Sequence, residues 1–240
     1  MDTQSNNLGK LYLIPTTLGD NEPLEVLPIS TKTIIERIDH YVVENEKTAR
    51  HFIKKISSKK SQPSLHLNLL NKFTEPSELS SFLDPCIEGF HVGIISEAGC
   101  PGVADPGADL VRIAHKKGIQ VVPMVGPSSI LLALMASGLN GQSFAFNGYL
   151  PIESGERKTS IKKFEKLSRE HQQSQIFIET PYRNDKLLAE LLKSLSPHTL
   201  VCIASDITLP TEFIATKTVG EWRATTVDLH KRPTIFIVQG

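Results

Sequence analysis

Residues 91–107 read HVGIISEAGCPGVADPG, and the predicted architecture of the whole chain can be built outward from them. The apolar run around Ile94 predicts a buried strand, and the loop after it is rich in glycine and proline. Asp105 is the predicted cap of a helix that opens with Pro106 and ends before Gly118. A strand, a loop and a helix in this order are the repeating unit of α/β proteins with parallel sheets.

The same alternation extends in both directions. Further strands are predicted at 11–15, 40–43, 119–124, 143–147, 175–179 and 200–205, and the last third of the chain is rich in strands. Asn45 is the predicted cap of a helix with an apolar face, and Thr74 is a predicted helix start. The pattern predicts an α/β fold of two domains, 1–139 with a parallel sheet and 140–240 with a mixed one.

Composition excludes several classes of protein. The 240 residues include 26 basic and 26 acidic side chains, so the basic excess that usually marks a nucleic-acid-binding protein is missing. Three widely spaced cysteines support neither a disulfide framework nor a metal site. Residues 1–8 do not read as a signal peptide, and the apolar run 130–136 is too short to span a bilayer. We therefore expect a cytoplasmic protein that is not associated with a membrane.

Two strand-to-helix junctions are candidate ligand sites, at 96–107 and at 123–129, the latter reading PMVGPSS. Loops of this kind at the carboxyl ends of neighbouring parallel strands often bind ligands through their backbone. Tight turns with good helix caps explain the same residues equally well. The fingerprints of Rossmann dinucleotide sites, P-loops, zinc proteases and α/β-hydrolases do not occur in the sequence.

Six motifs, in this order, resemble the tetrapyrrole methylase superfamily. They are LYLIPTTLG at 11–19, ENEKTAR at 44–50, the 96–107 loop, VGPSS at 125–129, FNGYLP at 146–151 with GER at 155–157, and ETPYR at 179–183. More narrowly, the chain resembles the branch that methylates the cytidine ribose 2′-hydroxyl of small-subunit ribosomal RNA. The resemblance extends from about residue 11 to residue 240.

This resemblance implies two α/β domains with S-adenosylmethionine in the cleft between them, a homodimer, no metal, and the small ribosomal subunit or its RNA as partner. A ribose hydroxyl needs help in losing its proton, and Glu44 at the end of the second predicted strand, or alternatively Glu97, is the candidate carboxylate for this role; a purely structural role for a strand-end carboxylate is the other interpretation. The positions implied for cofactor binding are Gly99, Cys100, Pro101, Ala104, Asp105, Ser128, Ser129, Gly148, Tyr149, Leu150, Ala204 and Thr234.

Some residues depart from the pattern of the ribosomal branch. Asp20 stands where asparagine is common, Cys100 replaces a threonine, and Ile152-Glu153-Ser154 replaces a basic stretch. A methylase of a small porphyrinoid-like molecule, or a cofactor-binding protein without catalysis, therefore remains an alternative. A nucleotide-binding hydrolase built on the helix at Ser128 is a third.

Two surface features accompany these alternatives. The helix after Asn45 carries a basic face that is either a phosphate-binding surface or an ordinary solvated one, formed by Lys47, Arg50, Lys54, Lys55, Lys59 and Lys60. Apolar side chains near a domain edge suggest the surface of a dimer, namely Phe144, Phe146, Tyr149 and Ile152.

Overall fold

The computed structural model describes residues 8–71 and 73–240. The expectation for the N-terminal segment therefore lies almost wholly outside the described residues. The described chain forms two compact units, one ending at Pro127 and the other running from Ser128 to Gly240. The division comes before the predicted one at 139/140, because the helix at 129–137 packs against strands of the second sheet. That each unit is an independent domain stays a prediction.

The first unit contains a sheet in the order β3-β2-β4-β1-β5, and every pairing in it is parallel. The strands are β1 (Lys10–Ile14), β2 (His40–Val43), β3 (His66–Leu69), β4 (Val92–Ile95) and β5 (Gln120–Pro123). The helices are α1 (Pro23–Val26), α2 (Ile29–Arg37), α3 (Glu46–Ile56), α4 (Asp84–Ile87) and α5 (Gly107–Lys116), with a 3₁₀ turn at Ser81–Leu83. The predicted parallel sheet is confirmed.

Both faces of this sheet are covered. Alternate strand residues pack on opposite sides, so that Ile14 and Tyr41 lie with α2 and α3 while Leu11 and Val42 lie with α4 and α5. Helix α3 follows the sequence pattern closely. Asn45 Oδ1 accepts hydrogen bonds from the backbone N–H groups of Lys47 and Thr48, at 2.9 and 3.3 Å. Its apolar face is buried, as predicted, and consists of Ala49, Phe52, Ile53 and Ile56.

The second unit contains a mixed sheet in the order β6-β7-β10-β8-β9, as predicted. Its strands are β6 (Phe144–Tyr149), β7 (Ser174–Ile178), β8 (Leu200–Ser205), β9 (Phe213–Thr218) and β10 (Thr234–Gln239). Strands β6 and β7 are parallel, and β10 runs antiparallel to β7 and β8. The helices are α6 (Ser129–Ser137), α7 (Ser154–His171), α8 (Asn184–Ser194) and α9 (Val219–Arg223).

Three local predictions differ from the structure. Residues 74–80 form turns rather than the start of a helix. The residue at the N-cap of α5 is Pro106, although the Asp105 carboxylate still accepts a hydrogen bond from the N–H of Gly107. Helix α2 has no counterpart among the predicted elements, because it begins after Pro28 without a polar cap. Among the described residues, no helix combines the length and the apolar character needed to cross a membrane.

Candidate active site

The carboxyl ends of β1, β2, β4 and β5 meet at one edge of the first sheet, and hydrogen bonds tie their loops together. The Thr16 N–H and the Ser96 hydroxyl both donate to the carbonyl oxygen of Gly99, at 3.0 and 2.6 Å. The Cys100 thiol donates to the Pro127 carbonyl at 3.4 Å. Burial raises the pKa of this thiol, so it stays protonated at neutral pH and keeps its role as a donor. The 96–107 loop is therefore held against the loops after β1 and β5.

Three acidic residues at this edge form what we call the carboxylate cluster: Glu44 after β2, Glu97 after β4, and Asp105 before α5. Glu44 is half-buried and accepts a hydrogen bond from the backbone N–H of Glu97. Burial raises the pKa of the Glu44 carboxyl, and the nearby charges of Asp105 and Glu97 raise it further. Glu44 therefore takes up a proton more readily than an ordinary glutamate.

The other two members of the cluster have fixed partners. Asp105 Oδ1 accepts hydrogen bonds from the N–H groups of Gly102 and Gly107, at 2.7 and 2.8 Å. Glu97 is exposed, and its Oε1 accepts a hydrogen bond of 2.6 Å from the hydroxyl of Thr48 on α3. Within residues 8–71 and 73–240, no three His, Cys, Asp or Glu side chains come close enough to hold a metal ion. The structure thus brings both predicted catalytic candidates together, while their roles stay a prediction.

The cofactor positions predicted in the first unit lie along the 96–107 loop with different accessibilities. Gly99 and Pro101 are buried, Cys100 and Asp105 are half-buried, and Ala104 is exposed. Gly99 has a φ of +71°, and a Cβ there would lie 3.1 Å from Leu18 Cδ2 and 3.2 Å from the Pro127 oxygen. A valine at Gly99 would therefore strain the loop as well as affect any ligand, so it is a poor test of cofactor binding.

The positions predicted in the second unit gather at the edge where β6 and β8 end and β10 begins. The β6–β7 pairing shifts register between Phe146 and Tyr149, which is a bulge. Gly148 lies in this bulge with a φ of +63°, and a Cβ there would meet no atom within 4 Å. Its backbone is therefore open to a ligand, and Tyr149 beside it is exposed.

The remaining positions in the second unit are less accessible. The side chains of Leu150 and Ala204 are buried, because Leu150 packs in the apolar core and Ala204 lies within the paired strand β8. The hydroxyl of Thr234 is already bonded to that of Ser205, at 2.8 Å. Ser128 caps α6 by accepting from the N–H of Leu131, and Ser129 is the first residue of that helix. Of this set, Gly148 and Tyr149 offer the most open surface.

Sequence reasoning missed a group of four charged residues in the second unit, Arg157, Glu179, Arg183 and Glu190, which we call the Arg157 cluster. The side chain of Arg157 is only 1% exposed, although it lies in a helix that reads as charged throughout. Its Nη1 lies 3.9 Å from Glu179 Oε2, its Nε forms an ion pair of 2.5 Å with Glu190, and its Nη2 donates to the Ile152 carbonyl at 2.9 Å.

The same cluster includes a second arginine. Arg183 Nη2 donates to Glu179 Oε1 at 2.7 Å, and the backbone N–H of Thr180 donates to the same oxygen. Arg157, Glu179 and Arg183 come from the GER and ETPYR motifs, whereas Glu190 lies outside them. The motifs indicated that these three residues matter but did not indicate that they are buried together. The sequence also gave no indication that Lys55 is paired with Asp20, at 2.9 Å, rather than facing open solvent.

Comparison with known proteins agrees with the predicted resemblance. A family model described as Tetrapyrrole (Corrin/Porphyrin) Methylases matches residues 10–222. The chain is 29% identical over 247 residues to a protein of Vibrio cholerae named ribosomal RNA small subunit methyltransferase I, covering 99% of this chain and 80% of the relative. It is 30% identical to a protein of the same name from Pasteurella multocida, covering 98% of this chain and 81% of that one.

Solved structures agree on the fold. The methyltransferase CobJ superposes with a TM-score of 0.63 at 17% identity, covering 97% of this chain and 94% of that chain. The cobalt precorrin-4 methyltransferase CbiF superposes with a TM-score of 0.61 at 16% identity, covering 100% of this chain and 97% of that one. Because the family model matches most of the 240 residues, this chain belongs to the tetrapyrrole methylase family and is a methyltransferase that uses S-adenosylmethionine.

Proposed function

We propose that this protein transfers a methyl group to a ribose 2′-hydroxyl of small-subunit ribosomal RNA. The observation that carries the proposal is the similarity, over nearly the whole chain, to relatives named ribosomal RNA small subunit methyltransferase I. The carboxylate cluster supports it, because it places a carboxylate of raised pKa at the loop edge of the first sheet. We also propose that the protein acts in the cytoplasm, where ribosomal subunits are found.

The residues present fit S-adenosylmethionine, which supplies an electrophilic methyl group on a sulfonium. The open backbone at Gly148 can approach a ligand closely, and the exposed Tyr149 ring offers a surface for an adenine. In the first unit, the 96–107 loop is held rigidly by its hydrogen bonds to the neighbouring loops. We assign cofactor binding to these two segments and to Ser128 and Ser129.

We assign to Glu44 the role of general base. With S-adenosylmethionine bound, its methyl group would pass from sulfur to the 2′-oxygen, and the Glu44 carboxylate would take the hydroxyl proton. A base whose pKa has moved toward neutrality removes such a proton more effectively than an ordinary carboxylate. Glu97 holds Glu44 through its backbone N–H and is the alternative base.

Methyl transfer to isolated small ribosomal subunits tests this function. Subunits that lack ribose methylation are incubated with the protein and S-adenosylmethionine carrying a labelled methyl group, and the RNA is digested for mass spectrometry. We expect the label in one 2′-O-methylated nucleoside. Label in a base instead of a ribose, or no transfer, contradicts the proposal.

A small-molecule acceptor is the second candidate function, and one observation favours it. Where the ribosomal branch has a basic stretch, this chain has an exposed Ile152, and Glu153 caps α7 by accepting from the N–H of Glu156 at 2.7 Å. Neutral overall charge points the same way. Transfer to a porphyrinoid and not to ribosomal subunits would establish this alternative.

We also propose that the protein is a homodimer. Strand β6 lies at the edge of the second sheet, and large apolar side chains on it and after it are exposed, namely Phe144, Tyr149 and Ile152, with Phe146 half-buried between them. An edge strand with exposed apolar side chains is a common site of association. Light scattering at micromolar concentration should give twice the mass of one chain, and the mass of a single chain would contradict the proposal.

A further inference from the structure

A pocket in the first unit, which we call the α3 pocket, has a volume of about 270 Å³. It lies between the loop after β1, helix α3 and the end of β4. Phe52 and Ile95 form apolar parts of its wall, and hydroxyl and charged side chains are among the other lining groups. Apolar walls with a few convergent polar groups are typical of sites for small organic ligands.

An ion pair forms one wall of the pocket. Lys55 Nζ lies 2.9 Å from Asp20 Oδ1 and 3.6 Å from Glu22 Oε1, and the lysine side chain is only 27% exposed. The Asp20 side chain is 94% exposed, so the pair lies at the solvent-facing side of the pocket. An oriented ammonium beside a carboxylate offers both a donor and an acceptor to a polar ligand.

A buried hydroxyl is also part of the pocket lining. Thr16 is 5% exposed, and its Oγ1 has no hydrogen-bond partner among the described residues. A buried hydroxyl without a partner is unfavourable by about 1–3 kcal/mol, so such groups are usually satisfied by a ligand or a water. The backbone N–H of Thr16 donates to the Gly99 carbonyl, and this hydrogen bond fixes the backbone of Thr16 at the pocket.

The pocket is continuous with the carboxylate cluster through Glu97. The side chain of Glu97 lines the pocket and accepts the hydrogen bond from Thr48, while its backbone N–H donates to the Glu44 carboxylate. A molecule that fills the pocket therefore lies next to the proposed general base.

We propose that the α3 pocket takes a single unstacked nucleoside of the RNA substrate, and this inference rests on the proposed function. The base edge bonds to the Thr16 hydroxyl and to the Lys55–Asp20 pair, and the ribose lies toward Glu97 and Glu44. Enzymes that act on a nucleotide within a folded strand commonly move it out of the stack into such a pocket. A volume of about 270 Å³ is large enough for one nucleoside.

The test compares Thr16→Val with the parent protein, using cytidine and uridine 5′-monophosphates as probes. Binding is followed by NMR through the methyl group of Thr48, which lines the pocket. Valine has the shape of threonine without the hydroxyl, so we expect affinity for the better-bound nucleotide to fall about three- to tenfold, the value of one hydrogen bond. We expect the melting temperature to stay the same or rise, because an unsatisfied buried hydroxyl has been removed.

Lower nucleotide affinity without a lower melting temperature in Thr16→Val indicates a lost ligand contact, because loss of a structural contact would lower both. Lys55→Met should also weaken nucleotide binding, and Thr33→Val, at an exposed threonine of α2, is the matched control without effect. Unchanged affinity in both pocket variants overturns the proposal. Displacement of the nucleotide by S-adenosylmethionine also overturns it, because the pocket would then belong to the cofactor.

Methyl transfer distinguishes the failure of this inference from the failure of the proposed function. If the parent methylates ribosomal subunits and Thr16→Val does so with unchanged KM, the pocket assignment is wrong and the function stands. If the nucleotides bind and both pocket variants weaken them, but no transfer to ribosomal subunits occurs, the pocket stands and the proposed function is wrong.

Discussion

Glu44 in the first unit and Glu179 in the second both follow a buried strand, yet their surroundings are opposite. The Glu179 side chain is 1% exposed and lies between two arginines of the Arg157 cluster. Glu44 is half-buried, and the neighbouring charges that act on its pKa are those of Asp105 and Glu97. Glu179 is therefore engaged in ion pairs with two cations, whereas burial and neighbouring carboxylates raise the pKa of Glu44. Ion pairs hold Glu179 in place, and the proposed role of Glu44 as a base rests on its different surroundings.

The largest expected effect comes from Glu44→Gln. Removal of a general base lowers a rate by about 10²–10⁴-fold, and we expect a loss of this size in methyl transfer to ribosomal subunits. Glu46→Gln on exposed α3 is the matched control and should retain activity. Affinity for S-adenosylmethionine, measured by calorimetry, should not change. Full activity of Glu44→Gln would show that Glu44, like Glu179, is not the base in the reaction.

The same variant has a predicted effect on stability. Because the pKa of Glu44 is raised in the folded protein, its contribution to stability is present below the ordinary carboxyl pKa and is lost as the pH rises through the folded value. At neutral pH, glutamine should therefore leave the melting temperature equal or higher. The difference should disappear near pH 4, where Glu44 is protonated.

Arg157→Met tests the other half of the comparison. It leaves Glu179 and Glu190 without the buried guanidinium, and breaking a buried ion pair typically destabilises by about 3–5 kcal/mol. Urea unfolding should show this loss. Arg183→Met should lose less, because its side chain is 33% exposed and Arg157 remains. Equal losses of unfolding free energy in both variants would show that the burial of Arg157 adds nothing to the stabilisation by the Arg157 cluster.

Sequence patterns predicted the local structure well because the signals are local. The apolar face of α3 and its Asn45 cap lie within one short segment, and so do the strand and loop at 92–107. The parallel order then places Glu44 and Glu97 at one edge, since strand ends in a parallel sheet point the same way. The two catalytic candidates could therefore be chosen from the sequence.

Pairing between distant residues could not be predicted in this way. Arg157 reads as one of many charged residues in α7, and only the packing of α8 and the end of β7 around it makes it buried. Leu150 stays a predicted cofactor position, but its side chain packs in the core, after a bulge in β6 that the sequence does not reveal. Lys55 was expected to face solvent, but the loop after β1 brings Asp20 to it.

Asp105→Asn tests whether the charge of Asp105 helps to raise the pKa of Glu44. Asparagine keeps the oxygen that accepts from Gly102 and Gly107 but removes a negative charge near Glu44. The pKa of Glu44 should then fall, because the charge of Asp105 contributes to raising it. We expect the acidic limb of the pH–rate profile to move to lower pH while the rate at its plateau falls modestly. An unmoved acidic limb would mean that Glu44 is not the group whose ionisation the profile reports.

The smallest effect concerns the cations outside both clusters. Of the basic face on α3, Arg50, Lys55 and Lys60 are paired with Glu46, Asp20 and Asp39, whereas Lys54 is exposed. A double reversal of Lys54 and Lys55 would break the Lys55–Asp20 pair as well as any RNA contact, so Lys54→Glu alone is the cleaner variant. If Lys54 contacts a phosphate, RNA affinity should fall and the log–log salt slope should flatten by about 0.7–0.9. Lys166→Glu on α7, 74% exposed, is the control in the other unit. Equal losses in both variants would indicate general charge attraction and no specific contact on α3.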